Sequence, residues 1–271
     1  MYATDFEFDG QRLSDYRCMI CSFDDISGTQ IASAGSSITF NKITKNYGRS
    51  FLLSGHQYDQ CITTTFDICK DPYKSNDPHF THDECRDLMR WLNRGEFLRF
   101  RIIYDGEYDG LFFFNASFNV EKIKVADKVC GFRLTMETDK PYAYGALQET
   151  ILTLSDTNST KNKYVLTNFS DELGELYPTI EIQLYSEGTL TIVNETLQET
   201  TIIKNCQSGE TIKIDGDILQ ISSSTDRNIL DAFNYVFPKL NNEISDRRNI
   251  YTFSLPCRVY VAYYPIVKDT I

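Results

Sequence analysis

Residues 98–136 read LRFRIIYDGEYDGLFFFNASFNVEKIKVADKVCGFRLTM, and this run decides the fold. Leu98, Phe100 and Ile102 alternate with Arg99 and Arg101. Phe112, Phe114, Ala116, Phe118 and Val120 then share one face, with Asn115, Ser117 and Asn119 on the other. Phe132, Leu134 and Met136 alternate with Arg133, Thr135 and Glu137 in the same way. A period of two is the period of a strand with one buried face. The Asp105-Gly106 and Asp109-Gly110 pairs supply turn chemistry between the first two runs. The reading is three half-buried antiparallel strands joined by short loops.

Immediately upstream, residues 81–95 read THDECRDLMRWLNRG. Thr81 and Glu84 form a capping box, in which each side chain satisfies an orphan backbone N–H at a helix start. Cys85, Leu88, Met89 and Leu92 recur at helical spacing. Arg86, Arg90 and Arg94 place positive charge in the body and last turn, where the helix dipole favours it, and Gly95 is a good stop. The spacing predicts a helix near 82–93. Further upstream, Ile38–Phe40 and Phe51–Leu53 read as strands.

Downstream, Lys140-Pro-Tyr-Ala-Tyr-Gly145 breaks the pattern, and a domain boundary is expected near 144. That gives an N-terminal β domain over 1–144 and a C-terminal one over 145–271. Strand signals follow at 164–166, 179–184, 189–193 and 199–203, spaced as in a β-sandwich. Residues 210–221 read as a hairpin turning at Asp215-Gly216. With a two-residue loop, Ile212 would face Leu219, and Ile214 would face Asp217. Ile212, Ile214, Leu219 and Ile221 would then share a face. The run 251–267 reads as one or two strands, and 230–235 as a single helical turn.

Composition agrees with a mainly β class. The chain has 271 residues, with 17 Tyr and 18 Phe against one Trp, and aromatic side chains suit pleated, half-buried surfaces. A net charge of −11 argues against gripping phosphate backbones, which takes Lys and Arg, and against anionic membranes. MYATDFEFDG at the start lacks the basic and apolar regions of a secretory signal. No apolar run reaches the roughly 20 residues of a membrane span, so no membrane insertion is expected. Folding in the cytosol is the expectation, with the eight cysteines as thiols. The glycosylation patterns at Asn115, Asn158, Asn168 and Asn194 are then coincidental.

Catalytic constellations are scarce. Cys18-Met-Ile-Cys21 is a single CxxC without a second pair, and an extended strand would turn the two thiols to opposite sides. Buried thiols are the commoner reading. His79 and His82, with Asp83, Glu84 and Cys85, could be ligands, but the segment reads as a connector into the helix. Asp24-Asp25, Asp171-Glu172 and Glu175 are paired carboxylates that charged loops also produce. Ser54-Gly55 and Ser208-Gly209 lack a nucleophile elbow. No catalytic residue, cofactor or metal is expected. The remaining lead is aromatic: Tyr142, Tyr144, Tyr235, Phe237, Tyr263 and Tyr264 lie near loops and strand ends, where core packing, a protein interface or sugar stacking are all open.

One ordered set of short motifs spans the chain: Phe6-Glu-Phe-Asp-Gly10, Leu13-Ser-Asp-Tyr16, Arg90-Trp-Leu92, Glu137-Thr-Asp-Lys-Pro-Tyr-Ala143, Asn168-Phe-Ser-Asp171, Pro178-Thr-Ile-Glu-Ile182, Gly209-Glu-Thr-Ile-Lys-Ile-Asp215 and Phe237-Pro-Lys-Leu240. In order and spacing it resembles the distal tail proteins of long-tailed phages and prophages. Two departures fall in the outer domain. Asn241-Asn-Glu-Ile244 stands where the family often has Gly-x-Asn, and Tyr264-Pro-Ile-Val267 replaces an arginine-rich finish. The resemblance implies an N-terminal β-sandwich or split barrel with one helix, and a galectin-like C-terminal β-sandwich. It implies a homohexameric ring in the baseplate at the tip of the virion tail, made in the host cytoplasm. The ring would join the tail tube protein to a tail-tip protein and to a receptor-binding protein, and DNA would pass through without specific binding. On that basis Asp71, Pro72, Tyr73, Phe80, Phe114 and Phe118 are expected near a neighbouring subunit. Tyr235, Phe237 and Tyr263 are the expected partner or glycan contacts. The competing reading is a carbohydrate-binding module acting in host-surface adhesion.

Overall fold

The computed structural model describes residues 3–23, 38–44, 51–104, 112–154, 163–243 and 247–268. The expected turns at 105–110, the Asp24-Asp25 pair, Asn158 and Ile244 lie outside the described residues. The chain divides into two compact units, 1–145 with 267–271, and 146–266. The second is thus an insertion near the end of the first. The sequence reading placed residues from 267 onward in the second domain. Val267 instead packs on the first core, because the strand Ile266–Val267 pairs with Ala143–Gly145.

The first unit runs β1 (Ala3–Phe8), β2 (Gln11–Arg12), a 3-10 turn (Leu13–Tyr16), β3 (Cys18–Cys21), β4 (Ile38–Thr44), β5 (Phe51–Tyr58), β6 (Thr63–Lys70), α1 (His82–Leu92), β7 (Leu98–Tyr104), β8 (Phe112–Val125), β9 (Lys128–Thr138) and β10 (Ala143–Gly145). One sheet has the order β2-β1-β7-β8-β9-β6-β3. Its alternating apolar residues, Phe6, Phe8, Phe100, Phe114, Phe118, Phe132, Leu134 and Ile68, meet the buried side of α1 in one core. Each such ring or branched chain contributes roughly 1.5–3 kcal/mol on burial. The helix begins as the sequence predicts. The Glu84 N–H donates to Thr81 Oγ1 at 3.3 Å, and the Thr81 N–H donates to Glu84 Oε2 at 2.7 Å. Trp91, outside the predicted stripe, is buried, stacked between Tyr16 (4.6 Å between ring centres) and Phe6 (5.6 Å). Its indole N–H donates to the Phe8 carbonyl at 2.9 Å.

β8 and β9 turn at Ala126-Asp127, both with positive φ (47° and 65°), the signature of a type I′ hairpin turn whose twist matches that of the strands. Neither residue is the usual glycine, which is why the sequence does not announce it.

The second unit is a β-sandwich. Its strands are β11 (Gln148–Leu154), β12 (Lys163–Thr167), β13 (Glu175–Leu176), β14 (Thr179–Leu184), β15 (Gly188–Asn194), β16 (Glu199–Cys206), β17 (Thr211–Asp215), β18 (Gln220–Ser223), β19 (Leu240–Asn241), β20 (Arg248–Phe253) and β21 (Cys257–Tyr263). A sheet of order β11-β21-β14-β17-β18 and one of order β12-β20-β15-β16 close over a shared core of Ile182, Leu184, Leu190, Ile192, Ile203, Ile212 and Val259. The β17–β18 hairpin departs from the predicted register: Ile212 faces Ser223 and Ile214 faces Ile221, across a four-residue loop. Leu219 is in that loop, exposed, with φ of +50°. Gly216 explains the shift. A Cβ there would stand 2.0 Å from the Tyr177 carbonyl oxygen, so this glycine serves a close backbone approach rather than a tight two-residue turn. The predicted helical turn is a 3-10 turn at Ile229–Ala232.

Buried asparagines hold the loops of this unit. Asn249 donates to the Asn241 carbonyl at 2.8 Å, and Asn242 donates to those of Ser170 (2.8 Å) and Glu172 (2.6 Å). Asn168 and Asn194 belong to the same buried set, which gives two of the glycosylation-pattern asparagines an internal role.

Candidate functional site

The feature left over once both cores are filled is the ribbon β4–β5. The two strands pair antiparallel, from Ile38 opposite Tyr58 to Thr44 opposite Phe51, and form a sheet of their own. Ile38, Phe40, Ile43 and Leu53 are 40–57% exposed on it. An isolated two-stranded ribbon is marginal in water. Leu53 stands opposite Lys42, so it shares a face with Ile38 and Phe40 while Ile43 lies on the other, and exposed apolar side chains sharing a face mark contact surfaces. The sequence showed both strands. It carried no signal that each would find only the other as a partner among the described residues.

A second feature is the 71–80 loop. Asp71 Oδ1 accepts the Tyr73 N–H at 2.9 Å, and the Asp71 carbonyl accepts the N–H groups of Lys74 and Ser75, each at 3.0 Å. Asp77 Oδ1 accepts the His79 N–H at 2.9 Å, and the Phe80 N–H donates to the Val129 carbonyl at 2.9 Å. These turns fix the backbone and present Tyr73, which is 96% exposed. The loop's base is held by Lys70, whose ammonium is 2.8 Å from Glu84 and 5.3 Å from the centre of the Phe80 ring.

The predicted contact residues separate into two groups. Pro72 and Tyr73 are exposed and Asp71 is half-buried. Phe80, Phe114 and Phe118 are buried in the chain's own core, so their side chains do not face a neighbour as expected. On β8 the alternation that marks a half-buried strand points these rings inward. In the second unit two of the three predicted aromatics converge, since Tyr235 and Phe237 both pack on the Phe233 ring, at 5.5 and 5.0 Å between centres. Tyr235 is exposed at φ of +60°, and Phe237 packs edge-on against Phe233 at 5.0 Å. Tyr263 is buried, its hydroxyl donating to the Thr167 carbonyl, which corrects its reading as a surface contact.

Charged groups are mostly structural. Asp67 is buried and takes a two-point grip from Arg133, at 2.8 and 3.0 Å. That guanidinium holds its carboxyl below the usual range. Burial pushes the Glu210 carboxyl up, but the Ser223 hydroxyl (2.6 Å), the Gln207 N–H (2.8 Å) and Arg227 (2.7 Å) outweigh it, leaving the group low. Among the described residues no group of three or more His, Cys, Asp and Glu side chains is arranged to hold a metal ion, and no helix is long and apolar enough to cross a membrane. Cys18 points into the core while Cys21, three residues on, lies on the other face of β3, beside Cys69.

Comparison with known proteins adds the following. A family model described as a phage tail protein N-terminal domain matches residues 1–140, and one described as a phage tail C-terminal domain matches residues 142–263. Among solved structures, the Dit protein of phage SPP1, described as a paradigm of the hub adsorption apparatus in phages infecting Gram-positive bacteria, is similar with a TM-score of 0.64. The match has 12% sequence identity and covers 97% of this chain and 99% of that one. At that identity the likeness is one of fold. No curated protein matches the chain in sequence.

Proposed function

The chain belongs to the phage tail proteins whose N- and C-terminal domain models span it, and from that premise we propose that it is the distal tail hub of its virion. Six copies form a ring at the end of the tail tube. The ring joins the tube protein to the tail-tip and receptor-binding proteins and leaves a channel for DNA.

The β4–β5 ribbon carries this reading. Its exposed Ile38, Phe40, Ile43 and Leu53 need a cover, and a second copy of the same chain is the occupant proposed here. A ribbon on one copy meeting a different surface on the next is a head-to-tail contact, and such contacts make a ring where the rotation between copies closes. The turn-braced Tyr73, with Asp71 and Pro72, is proposed to lie in the same contact, because tyrosine is enriched at interfaces. Tyr235 is the proposed partner contact of the second unit. The net charge of −11 suits a conduit to which phosphate must not stick. Synthesis and folding in the host cytoplasm complete the proposal.

The test uses intact tailed particles that carry the chain. Antibody raised against it should decorate the tail end far from the head in negatively stained images. Label spread along the tube or on the head would reject the reading.

A further inference from the structure

Four side chains form a column on the first unit's sheet. The Arg99 guanidinium lies 4.0 Å from the centre of the Phe113 ring. Phe113 stacks on Tyr144, its partner across the β8–β10 pair, at 5.2 Å between centres and 16° between planes. The Lys140 ammonium lies 5.0 Å from the centre of the Tyr144 ring. A ring face attracts a cation through its quadrupole, so the two rings hold a cation at each end of the column. The Asp139 carboxylate bonds to the Tyr144 hydroxyl at 2.8 Å and to the Asn115 amide at 3.1 Å. Neither Arg99 nor Lys140 forms an ion pair among the described residues. Arg99 is exposed, so the face of its guanidinium turned away from Phe113 is open. A planar guanidinium can stack on a ring with each of its faces.

The complementary groups stand on the 71–80 loop. Tyr73 is 96% exposed. Asp77 is exposed as well, and its side chain accepts only the His79 N–H, with no cation beside it among the described residues. The loop leaves the end of β6, and β8 and β9 separate β6 from β7 in the sheet. At 4.7–4.9 Å per strand, β6 and β7 are about 14 Å apart. Loop and column are therefore different surfaces of one unit.

We propose that the loop of one copy docks on the column of the next, with Tyr73 stacked on the open face of Arg99 and Asp77 paired with Lys140. The guanidinium is then held between two rings, one from each copy. Copies with a net charge of −11 repel one another, and setting Asp77 against Lys140 offsets that repulsion where they touch. A loop meeting a different surface on the next copy is the head-to-tail arrangement that a ring requires. The contact rests on the proposed ring, and it names the surface that receives the loop.

The experiment follows self-association of the purified full-length chain by sedimentation velocity across a concentration range. Tyr73→Ala and Arg99→Ala should each weaken it about tenfold. The two together should be no weaker than the worse single variant, because both remove the same contact. Lys140→Glu should weaken association as well, and adding Asp77→Lys should recover it. Tyr73→Ala should melt within about 2 °C of wild type, as exposed changes do, so its loss of association is not a loss of fold. Three results would each overturn the proposal: association at wild-type strength in Tyr73→Ala, losses that add in the Tyr73→Ala, Arg99→Ala pair, or no recovery on exchanging the charges. Should the wild-type chain associate while any of these holds, the ring stands and this contact alone falls. A wild-type chain that is monomeric at every concentration removes both.

Discussion

Trp91 shows how much one residue decides. It is the single tryptophan of the chain, and it ties α1 to β1 through the Phe6 stack and the bond to the Phe8 carbonyl, and to the 3-10 turn through the Tyr16 stack. Helical spacing picks out Cys85, Leu88, Met89 and Leu92 but passes over Trp91, because its partners lie some 80 positions away in sequence, beyond any local pattern. Trp91→Phe keeps an apolar ring but loses the indole bond to that carbonyl, and should cost about 0.5–1.5 kcal/mol in urea unfolding of the first unit. The buried carboxylates are equally invisible to periodicity, since Asp67 and Glu210 sit among ordinary polar positions. Both have pKa values lowered on folding. They therefore stabilise the fold above their unfolded values, about 3.9 for Asp and 4.3 for Glu, and the contribution is lost as pH falls through the folded values. Stability by urea titration should be level from pH 7 to about pH 5 and fall below about pH 4. Glu210→Gln should flatten part of that acid slope and cost about 3 kcal/mol at pH 7, because Arg227 is left without its charge partner.

At the scale of elements, legibility follows the range of the determining contacts. The helix was readable because its start is set by Thr81 and Glu84, three residues apart. The strands β7, β8 and β9 were readable because one buried face imposes a period of two. The β17–β18 register was not, because Gly216 answers to the Tyr177 carbonyl of a different segment. The same inward alternation that revealed β8 was misjudged as an interface at Phe114 and Phe118. The ribbon β4–β5 is the converse case, visible as two strands but not as an unpartnered surface. On the proposed reading its apolar side chains are unused by the isolated chain. Phe40→Ser with Leu53→Ser should leave the melting temperature within about 2 °C of wild type, as surface changes do, while weakening self-association at least tenfold in sedimentation velocity. Loss of folding with intact association would contradict that division of labour.

For the whole molecule, the two domain-model matches and the two cores tell one story from independent directions. Each unit buries its own cluster of apolar side chains, and each matches a phage tail domain. The ordered motifs along the chain resemble that family, and several of them supply strand residues of the two cores, such as Phe6, Phe8, Ile180, Ile182, Ile212 and Ile214. What sequence could not supply is the surface. Contact residues between copies answer to a partner that local pattern does not encode, which is why Asp71, Pro72 and Tyr73 remain proposals while Tyr263 moved to the core. The central claim, that this tail protein closes into a ring of six, is tested most directly by its mass in solution, measured by light scattering across a wide concentration range. The account predicts a species of about six times 31.3 kDa. A monomer at every concentration would contradict it.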